Sequence, residues 1–91
     1  MKHSKKCVLC YPEKVLAIEF GCAVVRANTS LLIIPKQHAI FADLLYPGEL
    51  LVAAQLVARK LGLEYFPEMT LHLGEHAHLD LDFHGAVPDY Q

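Results

Sequence analysis

The chain has 91 residues, 54% hydrophobic and 20% charged, with a formal net charge of −2. That length fits a single domain over residues 1–91 with a modest core. The balance is too apolar for disorder and too nearly neutral for phosphate-backbone binding, so neither DNA nor RNA is expected as a partner.

The N-terminus, MKHSKKC, runs into cysteine and proline rather than an apolar secretory stretch, and no apolar run matches a bilayer span, so a cytoplasmic protein with no membrane segment is expected. Three cysteines, two of them spaced Cys7-x-x-Cys10, suit an intracellular thiol or metal role better than a disulfide framework. Two thiolates at that spacing reach one zinc ion from a tight turn, but tetrahedral zinc needs two further ligands and no second CxxC follows. Free thiols are the alternative. Cys22 lies inside an apolar run and reads as core packing.

Three runs rich in Val, Ile and Leu come next: VLAIEF at 15–20, CAVVRA at 22–27 and LLIIPK at 31–36, separated by Gly21 and by the turn-forming NTS at 28–30. They predict a meander of short antiparallel strands. The segment PGELLVAAQLVARKLG at 47–62 predicts a helix of about four turns, with Pro47 and Glu49 near its start, Arg59 and Lys60 in its last turn and Gly62 as its stop. Its polar stripe is only Gln55, Arg59 and Lys60, so it requires burial on more than one side, a second subunit being one source.

Beyond Pro67 the periodicity changes to two. MTLHL at 69–73 and LDLDFH at 79–84 predict two more strands with a break near GEHAH, because one strand over 71–84 would be roughly 45 Å long. Strands, one main helix and then strands give an α+β fold: a five-stranded antiparallel sheet with one long helix packed on it.

Four of the six histidines fall within HLGEHAHLDLDFH at 72–84, where every even-numbered residue is His, Asp or Gly. In an extended chain His76, His78, Asp80, Asp82 and His84 share a face. The bland account is the wet side of a half-covered sheet, the default for His72 and Asp82. The chemical account is a metal site of His76, His78 and Asp80, since two imidazoles and a carboxylate suit Fe²⁺ or Zn²⁺. His38, in IIPKQHAIF, is by itself a loop histidine, and Lys36 a solvated charge. No glycine-rich phosphate loop and no Gly-x-Ser-x-Gly turn occurs.

The segment VVRANTSLLIIPKQHAIFADLLYPGELLVAAQLVARKLG, with CVLC ahead of it, resembles the histidine triad (HIT) family of the zinc-binding CxxC type. There a strand ending in IPK-x-H leads through a short acidic turn into one long helix, and the element order from Cys7 to Pro88 is similar. The resemblance implies a homodimer formed through helix and sheet edge, binding of purine nucleotides, and hydrolysis of phosphoramidates or dinucleotides. The middle histidine of a His-x-His-x-His signature attacks the α-phosphate and forms a covalent nucleotidyl intermediate. It also implies a structural Zn²⁺ completed by the IPK-motif histidine and the first triad histidine.

No His-x-His-x-His occurs in the chain, and three registers remain: His84, Ala86, Pro88; His78, Asp80, Asp82; and His76, His78, Asp80. The first is favoured, because it leaves 74–78 as a loop and 79–84 as the returning strand. On this register the metal ligands implied by the resemblance are Cys7, Cys10, His38 and His84, and Ala86 takes the nucleophile position. The expected protein is then a catalytically degenerate nucleotide-binding or protein-interaction module without hydrolase activity. The third register keeps His78 as nucleophile and makes the protein an active nucleotidyl hydrolase or transferase, with Asp80 unfavourably close to incoming phosphate.

Overall fold

The computed structural model describes residues 14–35, 48–64, 68–73 and 76–90. Their elements are β1 (Val15–Glu19), β2 (Cys22–Ala27), β3 (Ser30–Pro35), α1 (Gly48–Leu61), β4 (Met69–His72) and β5 (His78–Asp82). The five strands form one sheet in the order β1-β2-β3-β5-β4, antiparallel at every junction. This is the α+β class expected from the sequence. Among the described residues no helix is long and apolar enough to cross a membrane.

Local chemistry explains the boundaries. Glu19 pairs with Cys22 across a two-residue turn in which Phe20 and Gly21 both have positive φ, 49° and 76°. That left-handed pair matches the right-handed twist of a hairpin, and glycine takes its half without steric cost. Asn28, at φ 54°, opens the next turn, and asparagine tolerates this conformation better than most residues.

Helix α1 ends in a Schellman motif. Gly62, at φ 69°, donates its N–H to the Arg59 carbonyl at 3.2 Å, and Leu63 donates to the Ala58 carbonyl at 2.9 Å. Glu49 in the first turn and Arg59 and Lys60 in the last oppose the helix dipole favourably.

Leu50, Ala53, Ala54 and Val57 recur at helical spacing and are buried against one face of the sheet. Cys22 and Val24 of β2, Leu31 and Ile33 of β3, and Leu79 and Leu81 of β5 supply that face, with Val87 from the C-terminal segment. Burying each of the larger of these side chains stabilises the fold by about 1.5–3 kcal/mol. The rest of the helix is not fully covered: Leu51 and Val52 are exposed.

The returning strand differs from its expected span. The sequence predicts a loop over 74–78 and a strand over 79–84, whereas β5 begins at His78, paired with His72, and ends at Asp82. The reason lies in the Asp82 side chain: its Oδ1 accepts the backbone N–H of His84 at 2.7 Å. His84 takes φ 53°, which turns the chain out of the sheet. An aspartate that caps the amide two residues ahead competes directly with strand continuation.

Glu19, on the helix-covered side at the end of β1, is buried, yet it is doubly partnered. Lys60 of α1 forms an ion pair with its Oε2, and the Tyr90 hydroxyl donates to the same oxygen. Hydrogen bonds from Lys60 and Tyr90 hold its carboxyl below the ordinary 4.5, while burial and the Glu19 contact push the Tyr90 phenol up. A lowered carboxyl contributes stability that is complete above the unfolded value and is lost as pH falls through the folded one. Glu19→Gln is therefore expected to cost on the order of 1–2 kcal/mol at neutral pH. Thermal melts from pH 7 to pH 3 should show the gap between variant and wild type closing only below about pH 4.5.

Candidate functional site

Strict alternation along β5 turns Leu79 and Leu81 into the core and leaves His78, Asp80 and Asp82 half-buried on the opposite face. Register places Thr70 of β4 across from Asp80, His72 across from His78, and Leu32 of β3 on the other flank of Asp80. The polar residues at period two thus line one patch of sheet.

Within that patch the His72 and His78 rings stack, with centroids 4.7 Å apart and planes inclined by 12°. His72 Nε2 lies 3.9 Å from Asp80 Oδ2. His78 Nδ1 lies 2.8 Å from the carbonyl oxygen of His76. Since a carbonyl only accepts, Nδ1 carries the proton, and in the neutral ring Nε2 keeps its lone pair. This is the tautomer required of a nucleophile or a metal ligand acting through Nε2. His76 precedes the strand and is buried, with Nε2 3.3 Å from the Pro35 carbonyl at the end of β3. The neighbouring strand's end therefore helps hold the segment that orients His78.

Asp80 is less settled: its Oδ1 is buried and accepts no hydrogen bond. Cys22, the other soft nucleophile in the described residues, packs in the core, and burial pushes its thiol up to about 11. It is inert as a nucleophile.

A second group gathers where β5 ends. Ligand atoms of Glu68, Asp82 and His84 lie within 4.8 Å of one another. His84 Nε2 is 3.4 Å from Glu68 Oε2, and Nδ1 is 3.8 Å from Asp82 Oδ1. Glu68 and His84 are exposed, and Asp82 Oδ1 already accepts from the Thr29 hydroxyl and the His84 amide. His76, His78 and Asp80 form no such group.

Of the residues singled out from sequence, Cys7, Cys10, His38 and Lys36 lie outside the described residues. His84 stands at the bend after β5, and Ala86 is exposed in the irregular segment beyond it. His78 and Asp80 sit on β5 itself. The sequence reading missed Glu68, which reaches His84 only through strand pairing. It also reads His72 as a solvated residue: a loop centred on 76 would set His72 across from Asp80, and only the earlier start of β5 brings it opposite His78.

Compared with family models, with curated proteins and with solved structures, the chain matches none. Fold and site together define a small α+β domain with one sheet face packed under a helix and, at one end of the opposite face, a histidine–aspartate patch.

Proposed function

We propose that the chain is a HIT-like domain that binds a purine nucleotide on the outer face of β5 and uses His78 as the nucleophile of a nucleotidyl hydrolase or transferase. The observation that carries this reading is the 2.8 Å contact between His78 Nδ1 and the His76 carbonyl, which leaves Nε2 unprotonated in the neutral ring. The order of elements adds support: three meandering strands, a helix, then a hairpin is the order the resemblance implies.

Among the three registers, the geometry favours His76, His78, Asp80. In that register the nucleophile position, His78, and Asp80 fall on β5, with His76 just ahead of the strand, whereas β5 ends before His84, Ala86 and Pro88. Reading His78 as the first position would put a carboxylate, Asp80, where the attack on phosphorus occurs. In the favoured register, attack by Nε2 on the α-phosphorus expels the amine or the remaining phosphates and leaves a nucleotidyl-histidine, which water then hydrolyses. A homodimer is part of the proposal: Leu51 and Val52 on α1, Met69 and Leu71 on the edge strand β4, and Leu73 just beyond it are exposed apolar residues.

Incubation with an adenosine phosphoramidate and with a dinucleoside polyphosphate tests the enzyme reading. Brief mixing and quenching should yield a nucleotidyl adduct on the peptide that contains His78. Absence of both adduct and turnover would leave the second reading in its place.

That second reading is the catalytically degenerate module with structural Zn²⁺ bound by Cys7, Cys10, His38 and His84, and Asp80 on the phosphate-facing patch favours it. Two thiolates and two imidazoles suit tetrahedral zinc, and the His84 ring is exposed, its carboxylate contacts among the described residues being 3.4 and 3.8 Å long. The ion would supply folding energy rather than chemistry. Elemental analysis reads it out as one zinc per chain, lost on Cys7→Ser.

A further inference from the structure

The far end of β5 carries a group of side chains that the chemistry of His78 does not use. The register that sets Met69 across from Leu81 also sets Glu68 across from Asp82, and the Asp82 amide donates to the Glu68 carbonyl at 2.9 Å. Two carboxylates directly opposed on neighbouring strands repel, so this corner of the sheet favours a cation. The bend after β5 brings His84 onto the same pair: one ligand atom from each of Glu68, Asp82 and His84 lies within 4.8 Å of the other two. His84 Nε2 stands 3.4 Å from Glu68 Oε2, and two donors bound to one zinc ion at tetrahedral angles are about 3.3–3.6 Å apart. Asp82 is already held in place: its Oδ1 accepts from the Thr29 hydroxyl and from the His84 amide, which leaves Oδ2 for an ion. The side chains of His84, Glu68 and Asp82 are 61%, 56% and 32% exposed, so an ion reaches all three from solvent, and rotation of the first two closes the spacing.

We propose that Glu68, Asp82 and His84 form a binding site for a divalent transition-metal ion, Zn²⁺ fitting best, with water in the fourth position. An imidazole and two carboxylates are ordinary zinc ligands, and three protein ligands leave a tetrahedral ion one place for water. Magnesium and calcium fit worse, because the imidazole nitrogen takes a place that those ions give to oxygen. The ion offsets the repulsion between the two carboxylates. It also ties together the residue ahead of β4, the last residue of β5 and the bend beyond it. Asp82 lies four residues along β5 from His78, roughly 13 Å, so the ion clamps the end of the sheet and takes no part in attack by His78. The inference does not depend on the nucleotide reading. It competes with the thiolate set of the second reading, because a His84 ring bound here is withheld from Cys7, Cys10 and His38.

Titration of the full chain with Zn²⁺, followed by NMR of the His84 ring nitrogens, tests it. In wild type the Nε2 resonance is expected to shift to saturation, and the shift should persist in Cys7→Ser. Glu68→Gln and Asp82→Asn should each raise the zinc concentration at half-saturation by at least about tenfold, or about 1.4 kcal/mol. Both replacements conserve size, and the amide oxygen in Asp82→Asn can still accept from Thr29 and the His84 amide. A His84 ring that zinc leaves unmoved overturns the inference, the imidazole then being only a counter-charge to the two carboxylates. Loss of the shift in folded Cys7→Ser, or a half-saturation point unchanged by Glu68→Gln, overturns it too and assigns His84 to the thiolate set. Should Cys7→Ser fold poorly, wild type against Glu68→Gln decides the matter alone, since the Glu68 side chain is exposed.

Discussion

His78→Asn is expected to abolish turnover of an adenosine phosphoramidate, lowering kcat by at least about a thousandfold, or about 4 kcal/mol of barrier, while the domain stays folded. Asparagine is the informative replacement because its amide nitrogen sits near the position of Nδ1. It can go on donating to the His76 carbonyl, the contact that measures 2.8 Å in the native chain. What it lacks is an atom at the position of Nε2. His78→Ala removes both the nucleophile and the hydrogen bond, along with the ring that stacks on His72, so its loss of activity mixes two causes. His72→Asn supplies the comparison. It removes the stacking partner but not the nucleophile, and a fall of about tenfold is expected from poorer positioning. Wild-type rates in His78→Asn, measured by release of the amine, would remove His78 from the mechanism and return weight to the zinc-stabilised module.

The parts of this fold that were legible in sequence are those fixed by short-range chemistry. The second strand is observed at Cys22–Ala27, as the positions of Gly21 and Asn28 predict. The helix, expected over 47–62, is observed at Gly48–Leu61 because Gly62 supplies the left-handed residue that a Schellman end requires. Alternation at period two was enough to place His78, Asp80 and Asp82 on one face.

What was hidden depends on side chains meeting across strands or from opposite ends of the chain. Nothing in the local pattern says that Asp82 spends its carboxylate on the His84 amide and so ends β5 before the triad register first favoured. Nor does it say that Glu19, a charged residue at a strand end, is buried because Lys60 and Tyr90 converge on it from 41 and 71 residues away, counting 60 − 19 and 90 − 19. The CxxC pair and His38 lie outside the described residues, so the four-ligand zinc expectation rests on the resemblance.

Leu81→Ala and Leu71→Ala make a paired test of the sheet register on which the site depends. Leu81 is fully buried, lies across from Leu31 on β3 and Met69 on β4, and belongs to the cluster under α1. Removing its branched end leaves a cavity in a small core. The expected cost is about 3 kcal/mol, which for a domain of this size lowers Tm on the order of 10–20 °C. Leu71 points to the same side of the sheet but from the edge strand, and it is 42% exposed. Its truncation is expected to cost less than about 1 kcal/mol in the monomer. If β4 and α1 form the proposed dimer contact, the Leu71→Ala penalty grows with protein concentration, because association stabilises the folded form by mass action, whereas the Leu81→Ala penalty barely moves. A one-residue slip of β5 would exchange its faces, leaving Leu81 in water and Asp80 in the core. Equal, small effects of the two substitutions at all concentrations would mean that slip is real, and the outward patch of His78 and Asp80 would go with it.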